Sequence, residues 1–326
     1  MRCLITGATG FVGGHLAAHL LEAGHEVTGL TRGRQSSSPP AKGGPGGVAP
    51  ARPLSPIPLH PVDWQDTAPL TELLRQLQPD WVFHLAGYAN AGKSFKEPEL
   101  AWAGNLTATQ SLYAALEACG SRARVLFVSS GLVYGDATAG FPVCTEAQPL
   151  RPVSPYAASK AAADVLSYQV TRHPGLDVVT VRPFNHLGPG QPADYAASNF
   201  ARQLAAAEAG RQPPVIRTGD LSSTRDFTDV RDMVRAYALL MEKGKTGEAY
   251  NAGTGETHTM RDVLDLLRKL ARVTVDVTEE ADPARPADPV ISGVSNAKLV
   301  QATGWRPAYS LDRTLGDVLD DWRNNQ

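Results

Sequence analysis

The amino-acid sequence predicts an α/β fold, a doubly wound parallel sheet followed by a smaller, mainly helical C-terminal domain. Short apolar runs rich in β-branched residues alternate with amphipathic stretches of helical length, which is the pattern of βαβ units. After about Pro183 this alternation fades and helix-length segments dominate. A chain of 326 residues is long enough for two such domains.

Five apolar runs are the predicted strands of the sheet, and each is expected to be buried on both faces. They are Arg2 to Thr6, Glu26 to Thr31, Trp81 to Leu85, Arg124 to Ser129 and Val178 to Arg182. Amphipathic spacing predicts helices at Phe11 to Ala23, Leu70 to Leu77, Pro98 to Cys119, Pro155 to Thr171, Ala196 to Ala209, Asp229 to Glu242, Met260 to Ala271 and Leu311 to Arg323.

The segment from Asp229 to Asn251 is expected to return once to the sheet. The predicted sheet domain therefore holds residues 1–182 with 228–252, and the second domain holds 183–227 with 253–326. One segment interrupts the pattern: Pro39 to Pro61 contains 8 of the 25 prolines, so it can form neither a helix nor a central strand. We expect a mobile surface loop between the second and third strands, with a proline-motif docking site as the alternative.

Charge and cysteine content exclude several classes of protein. A net charge of −2 gives no basic excess for a phosphate backbone or an anionic membrane, so nucleic acid and membrane partners are not expected. Cys3, Cys119 and Cys144 have neither the spacing of a metal site nor an even number for a disulfide framework. The first residues form a strand and a glycine turn rather than a signal peptide, so we expect a cytoplasmic location.

A glycine-rich turn follows the first predicted strand and opens the first helix. Gly7, Gly10 and Gly13 have the spacing G-x-x-G-x-x-G, with Phe11 and Val12 inside it. This context is that of a dinucleotide fingerprint: the glycines allow a tight turn, close approach of the pyrophosphate and close helix packing, while free N–H groups at the helix start face the anion. The sheet is thus expected to be of the Rossmann type.

The end of the second strand indicates which dinucleotide binds. An NAD enzyme usually carries a carboxylate there for the ribose 2′-hydroxyl, but the tip contains Thr31, Arg32 and Arg34. Two guanidinium groups suit a 2′-phosphate, so NADP is favoured and NAD stays possible. The alternative is that both arginines are merely solvated.

A tyrosine and a lysine lie four residues apart at the start of a predicted helix. Tyr156 and Lys160 therefore project from one face, and a nearby ammonium is expected to lower the pKa of the phenol and make it a usable proton carrier. Ser130 follows a strand at the carboxyl edge of the sheet, where its hydroxyl can bind the same substrate oxygen. A tyrosine and a lysine four residues apart also occur on ordinary surface helices, so this spacing alone does not identify a catalytic site.

Four motifs occur in this order along the chain: Gly7-x-x-Gly10-x-x-Gly13, His84-Leu85-Ala86-Gly87, Ser129-Ser130 with Val133-Tyr134-Gly135, and Tyr156-x-x-x-Lys160. Taken together, they resemble the motifs of the extended short-chain dehydrogenase/reductases that act on nucleotide sugars. Residues 182–191 (RPFNHLGPGQ) and 225–234 (RDFTDVRDMV) look like the GDP-mannose branch, which includes dehydratases and 4-keto-6-deoxy-mannose reductases. The long insertion at Pro39 to Pro61 departs from the family pattern.

The resemblance implies roles for individual residues. It makes Ser130, Tyr156 and Lys160 the catalytic group and adds Tyr156 and Lys160 to the residues that contact the cofactor. His186 is interpreted as structural. The other implied contacts are Asp63 and Trp64 at the adenine, Leu85, Ala86 and Gly87 along the cofactor, Asn185 by the sugar, and Asn199, Arg217, Arg225 and Arg285 at the nucleotide diphosphate.

The residues after Ser130 bear on the reaction. Dehydratases of the family carry acidic residues there, whereas this chain has Gly131 and Leu132, which cannot move a proton. The resemblance therefore implies NADPH-dependent reduction of the 4-keto group of a GDP-linked 6-deoxy-4-keto hexose, in a homodimer. A 4-epimerase with a tightly held dinucleotide is the alternative. Two further alternatives are a dehydratase and a non-catalytic sensor of NADP(H) or a nucleotide sugar.

Overall fold

The computed structural model describes residues 1–32, 57–138, 143–280 and 293–325. The strands are β1 (Arg2–Thr6), β2 (Glu26–Arg32), β3 (Leu59–Val62), β4 (Trp81–His84), β5 (Arg124–Val128), β6 (Asp177–Pro183), β7 (Asn185–Leu187), β8 (Val215–Thr218), β9 (Thr224–Asp229), β10 (Ala249–Ala252), β11 (Thr257–Thr259) and β12 (Asp276–Glu279). The helices are α1 (Phe11–Glu22), α2 (Thr67–Leu77), α3 (Pro98–Trp102), α4 (Ala108–Ala118), α5 (Pro155–Arg172), α6 (Ala196–Glu208), α7 (Val230–Lys243), α8 (Met260–Leu270), α9 (Ala297–Thr303) and α10 (Leu311–Asn324).

A seven-stranded sheet has the order β10-β6-β5-β4-β1-β2-β3, and all its pairs are parallel. The predicted Rossmann-type sheet is confirmed, and each of the five predicted strands lies within two residues of its observed bounds. The expected return to the sheet is also confirmed, because β10 pairs with β6. The order of strands reverses between β1 and β4, which places the ligand crevice of such a sheet at their carboxyl ends.

The sequence interpretation of the proline-rich segment missed an edge strand. β3 lies at the end of that segment and pairs with β2, so that Pro61 stands opposite Thr31. An edge strand turns alternate N–H groups away from the sheet, and a proline there removes no ladder hydrogen bond. The rest of the segment, residues 39–56, lies outside the described residues.

Two helical layers cover the sheet. On one face α1, α7 and α9 bury an apolar core that includes Leu16, Tyr237 and Leu299, and on the other face α2, α4 and α5 bury a second core around Leu74, Leu112 and Val170. The helix α9 was not predicted. It packs with Trp305 against α7, and the Trp305 indole donates to the Asp232 carbonyl at 2.9 Å.

The remaining elements form a separate core. The helices α6, α8 and α10 pack around Leu204, Leu264 and Leu315, beside a parallel pair of β8 with β12. A three-stranded sheet, β11-β9-β7, connects this part to the large sheet. The predicted division into domains stays a prediction, although α9 and Trp305, assigned by it to the second domain, pack in the core of the first. No helix in the described part of the chain is both long and apolar enough to cross a membrane.

A buried ion pair joins α5 to the sheet. The Arg182 guanidinium donates to both carboxylate oxygens of Asp164 at 2.8 and 2.9 Å, and also to the Tyr134 hydroxyl at 2.9 Å. The Tyr134 hydroxyl in turn donates to the Asn251 amide oxygen on β10 at 2.7 Å. Both charged side chains are less than 10% exposed. Removing one partner would therefore leave a desolvated charge without compensation.

We predict that Asp164→Ala lowers the free energy of unfolding by about 3 to 5 kcal/mol, since the Arg182 charge would stay buried without its carboxylate. The matched control is Glu72→Ala, which breaks an ion pair with Arg75 in which both side chains are more than half exposed, and which should leave the free energy of unfolding almost unchanged. Urea unfolding measures both. Equal losses for the two variants would contradict the prediction.

Candidate active site

A cavity of about 1430 Å³ opens at the carboxyl ends of the central strands. Its walls come from the glycine turn, from the loops after β2, β4 and β5, and from the start of α5. The opposite wall comes from β7, α6 and the end of β8, so both parts of the fold contribute. The cavity thus occupies the crevice where the order of strands reverses, as the sheet topology requires.

The glycine turn packs with almost no free space. Gly7 has a φ of +71°, and its N–H donates to the Leu30 carbonyl at 3.1 Å. A Cβ on Gly13 would lie 2.3 Å from the Gly7 carbonyl oxygen, so only glycine fits there. Gly10 precedes α1, and no side chain caps that helix. The N–H groups of its first turn are therefore available to an anion in the cavity.

Most of the residues predicted to contact the cofactor lie on the cavity wall. Arg32 is exposed at the rim, at the end of β2. Arg34 lies outside the described residues. The residues predicted to contact the cofactor that line the wall are Gly7, Gly10, Phe11, Val12, Gly13, Arg32, Asp63, Trp64, Leu85, Ala86 and Gly87.

A buried histidine fixes the loop after β4. The two ring nitrogens of His84 bond to the hydroxyls of Thr6 at 2.8 Å and Thr109 at 2.9 Å, and Thr6 also accepts from the Ala86 N–H at 2.9 Å. Burial lowers the pKa of His84 to about 3, with a further lowering from Lys160. The imidazole is therefore neutral and serves to hold the glycine turn against the loop.

The three predicted catalytic side chains converge on the cavity. Tyr156 and Lys160 extend from the first two turns of α5, which begins with Ser154 accepting a hydrogen bond from the Ala157 N–H. The Ser130 hydroxyl, two residues after β5, accepts from the Leu132 N–H at 3.2 Å and lies close enough to the Tyr156 phenol to lower its pKa. The Lys160 ammonium donates to the Val128 carbonyl at 2.9 Å.

The lowering of the Tyr156 pKa expected from Lys160 is not found, and the lowering expected from a cationic nicotinamide ring stays a prediction. Burial raises the pKa of Tyr156 to about 12, the nearby Ser130 hydroxyl opposes the rise, and Lys160 is not among the causes. Lys160 is itself desolvated, and burial lowers its pKa to about 8, against a smaller rise caused by Asp164. The phenol is thus protonated at neutral pH, so it can act as a general acid rather than as a base.

A π-helical segment, Ala103–Thr107, separates α3 from α4 and interrupts the predicted helix at Pro98 to Cys119. It points the buried Asn105 amide at the site: the oxygen accepts from the Tyr88 N–H at 3.0 Å, and the nitrogen donates to the Ser159 hydroxyl at 2.9 Å. A Cβ on Gly87 would lie 2.5 Å from that oxygen and 3.3 Å from the Lys160 ammonium nitrogen. Sequence reasoning missed Asn105, because nothing in the sequence marks a π segment inside an amphipathic helix.

The two residues after Ser130 lie at the cavity, as the sequence predicts. Gly131 and Leu132 both line the cavity, and neither carries an ionisable group. A Cβ on Gly131 would lie 3.0 Å from the Phe184 ring, so that ring occupies the space next to the loop.

The residues predicted to contact the substrate line the far half of the cavity: Asn185, Asn199, Arg217 and Arg225. Arg225 is buried and donates to the Thr224 carbonyl at 2.7 Å. Arg217 is mostly exposed, and its guanidinium pairs with the Glu280 carboxylate at 2.5 Å. Arg285 lies outside the described residues.

His186, interpreted as structural, also lies on the cavity wall. Its ring stacks on the Phe11 ring with the centroids 6.4 Å apart, and its Nδ1 lies 3.1 Å from the Phe184 carbonyl oxygen. These contacts connect β7 to the glycine turn. Its assignment as structural stays a prediction.

Comparisons with known proteins agree with one another. The family model described as GDP-mannose 4,6 dehydratase matches residues 4–318. GDP-6-deoxy-D-mannose reductase from Pseudomonas aeruginosa is 35% identical over 99% of this chain and 97% of its own length. The solved structure of RMD from Pseudomonas aeruginosa complexed with NADPH is 33% identical with a TM-score of 0.83, and both chains are covered completely. The UDP-glucose 4-epimerase from Thermus thermophilus, in complex with NAD, is 31% identical with a TM-score of 0.84 and the same complete coverage.

Proposed function

Because the chain belongs to the GDP-mannose 4,6 dehydratase family, we propose that it is an NADPH-dependent reductase of the 4-keto group of a GDP-linked 6-deoxy hexose. The observation that carries this proposal is the convergence of Ser130 and Tyr156 on a cavity where the two residues after Ser130 are Gly131 and Leu132. Such a site has a proton donor for a carbonyl and has no acid or base for elimination of water at these two positions.

The chain's own residues supply the proton and the orientation. Tyr156, with its raised pKa, donates a proton to the O4 oxygen, while Ser130 donates a hydrogen bond to the same oxygen. Lys160, on the same cavity wall, would supply the positive charge that stabilises the phenolate left after the transfer. The bound dinucleotide supplies the hydride that reaches C4.

The cavity fits a dinucleotide phosphate. The closely packed glycine turn leaves backbone N–H groups for the pyrophosphate, and Arg32 offers a guanidinium at the point where the adenosine ribose is expected. Asp63 and Trp64 would border the adenine, and Leu85, Ala86 and Gly87 would run along the cofactor. The relative solved with NADPH and the one solved with NAD both support this use of the cavity.

The far half of the cavity suits a guanosine diphosphate. Asn199, Arg217 and Arg225 would bind the two phosphates, since guanidinium groups make charge-assisted bonds to phosphate oxygens, and Asn185 would contact the sugar. Glu280, at the end of β12, adds a carboxylate to the same rim. A carboxylate can accept from both the N1–H and the N2–H groups of guanine, whereas uracil offers it a single donor, N3–H, and Glu280 also pairs with Arg217.

An NDP-hexose 4-epimerase is the second candidate function, because the Thermus relative with that name matches the whole chain as well as the reductase does. Tyr156 would then have to take up the proton as well as donate it. The two functions differ in how firmly the dinucleotide is held. Mass spectrometry of ligands that copurify with the protein should find a retained dinucleotide for an epimerase and an exchangeable one for a reductase.

We also propose a homodimer formed through α3 and α5. Leu100 and Trp102 on α3 are 57% and 40% exposed, and Val165 and Tyr168 on α5 are 60% and 49% exposed. These two helices are in contact, and Leu100 also lines the rim of the cavity. Burial against a second copy would remove these side chains from water. The three free thiols, two of them buried, fit the reducing cytoplasm, where we propose that the protein acts.

We predict that Tyr156→Phe lowers kcat for reduction at least a hundredfold, because general acid catalysis contributes about that much, while NADPH affinity changes little. Tyr168→Phe, on the exposed side of the same helix, is the matched control and should keep full activity. Steady-state kinetics with a 4-keto sugar nucleotide measures both. A Tyr156→Phe rate within tenfold of the wild type would rule out Tyr156 as the acid.

We predict that kcat/KM for reduction is level from about pH 6 to 7.5 and falls as the pH rises through about 8. Lys160 loses its proton near that pH, whereas Tyr156 keeps its own until about 12. Lys160→Arg keeps a positive charge across this range, so the fall near pH 8 should disappear in that variant. Persistence of the same fall in Lys160→Arg would assign it to another group.

We predict that Arg32→Ala weakens binding of NADPH about tenfold or more and leaves binding of NADH nearly unchanged, since a charge-assisted bond to phosphate contributes about 1.5 to 3 kcal/mol. Arg75→Ala, a surface arginine of α2, is the control and should change neither. Titration by fluorescence measures the four affinities. Equal weakening of the two cofactors would contradict a 2′-phosphate contact.

We predict that Val165→Glu with Tyr168→Glu yields a monomer of 34.7 kDa by sedimentation at micromolar concentration, while the wild type sediments at twice that mass. Leu270→Glu, a similarly exposed apolar residue on α8, should leave the dimer intact. A wild-type monomer would refute the proposed assembly.

A further inference from the structure

A buried serine in the loop after β4 contacts the backbone of the helix that carries Tyr156. Ser94 lies in a short 3₁₀ turn, Lys93–Phe95, and its side chain is fully buried. Its hydroxyl donates to the Ala91 carbonyl at 2.6 Å and accepts from the Tyr156 N–H at 3.2 Å. A hydroxyl can both donate and accept, and Ser94 thus uses one bond within its own loop and one across to α5.

The Tyr156 N–H needs a partner from outside the helix, because a helix leaves the N–H groups of its first turn without partners of its own. Ser154 caps α5: it accepts from the Ala157 N–H at 3.1 Å through its side chain and from the Ala158 N–H at 2.8 Å through its carbonyl. The Tyr156 N–H of the same turn is bound by Ser94 from the neighbouring loop. The backbone of the proposed acid is therefore attached to a second element of the fold.

This contact joins two walls of the cavity. Residues 88–92, directly before the turn, all line the cavity, and so do Tyr156 and Lys160. Further along α5, the Lys160 ammonium donates to the Val128 carbonyl at the end of β5 at 2.9 Å. The first two turns of α5 are thus fixed at two points, one on the loop after β4 and one on the strand that leads to Ser130.

We propose that Ser94 is a positioning residue, whose hydroxyl holds the backbone of Tyr156 where the phenol reaches the same substrate oxygen as Ser130. This inference rests on the proposed function, in which Tyr156 donates a proton to that oxygen. Proton transfer needs hydrogen-bond distance between acid and acceptor, and a misplacement of about 1 Å can lower a rate about a hundredfold. Ser94 itself is not part of the cavity wall, so it acts only through Tyr156.

The alternative is that the buried hydroxyl contributes only to stability, and a second serine of α5 provides the matched control. Ser167 is 1% exposed, donates to the Ala163 carbonyl at 2.6 Å and bonds to the Tyr113 hydroxyl at 2.7 Å. It lies about three turns from Tyr156 along the same helix. Ser167→Ala therefore removes two buried hydrogen bonds from α5 without changing the start of the helix.

Steady-state reduction of a 4-keto sugar nucleotide tests the positioning role. Ser94→Ala should lower kcat about tenfold or more and leave the dissociation constant of NADPH unchanged, since the glycine turn stays intact. Ser167→Ala should lower the melting temperature and keep the wild-type kcat. In the Tyr156→Phe background, Ser94→Ala should cause no further loss of kcat, because the acid that Ser94 positions is already absent.

Ser94→Cys is a second variant, in which a side chain of nearly the same size offers a weaker acceptor. Its kcat should lie a few-fold below that of the wild type, which keeps the proposal testable if the alanine variant does not fold. A wild-type kcat in folded Ser94→Ala or Ser94→Cys would overturn the positioning role. An equal fold-loss from Ser94→Ala with and without the Tyr156 hydroxyl would also overturn it. Failure of the wild type to reduce a GDP-linked 4-keto-6-deoxy sugar would instead refute the proposed function.

Discussion

The burial of the Lys160 ammonium is the constraint on which the rest of the site depends. A charge that is only 6% exposed needs close polar partners, and the Val128 carbonyl at the end of β5 supplies one. Its neighbours are packed closely around it: a Cβ on Gly87 would lie 3.3 Å from the ammonium nitrogen and 2.5 Å from the amide oxygen of Asn105, which the π segment brings to the same point. Elements that meet at this buried cation are thus α5, β5, the loop after β4 and the helix interrupted at Ala103–Thr107.

The Lys160 side chain also connects the candidate site with a polar network in the sheet. Asp164, one turn further along α5, raises the pKa of Lys160 while binding Arg182 on β6. Arg182 also bonds to Tyr134, whose hydroxyl reaches Asn251 on β10. The protonation of Lys160 is therefore coupled to the Asp164–Arg182 ion pair that joins α5 to the sheet. Asp164 thus contributes both to the stability of the fold and to the charge of the proposed active site.

Much of this arrangement could be predicted from the sequence, because it follows from local patterns. A few consecutive residues are enough to recognise a strand buried on both faces, an amphipathic helix or the glycine turn of Gly7 to Gly13. The parts that could not be predicted depend on distant partners. The strand β3 is short and contains Pro61, α9 has seven residues, Asn105 depends on a π segment, and the raised pKa of Tyr156 depends on burial by the whole cavity.

The packing at position 131 agrees with the lack of an acid or base directly after Ser130. The Phe184 ring lies 3.0 Å from the place that a Cβ on Gly131 would take, and it stacks on the Tyr134 ring with the centroids 6.5 Å apart. A side chain at position 131 would require Phe184 to shift by a few tenths of an ångström, and Phe184 packs on the tyrosine whose hydroxyl accepts a hydrogen bond from Arg182. An acid or base at position 131 therefore needs an adjustment of the packing beside β6 as well as a different residue in the loop. This packing agrees with the proposal that the chain keeps the cofactor site and the tyrosine acid and acts at C4 of the sugar.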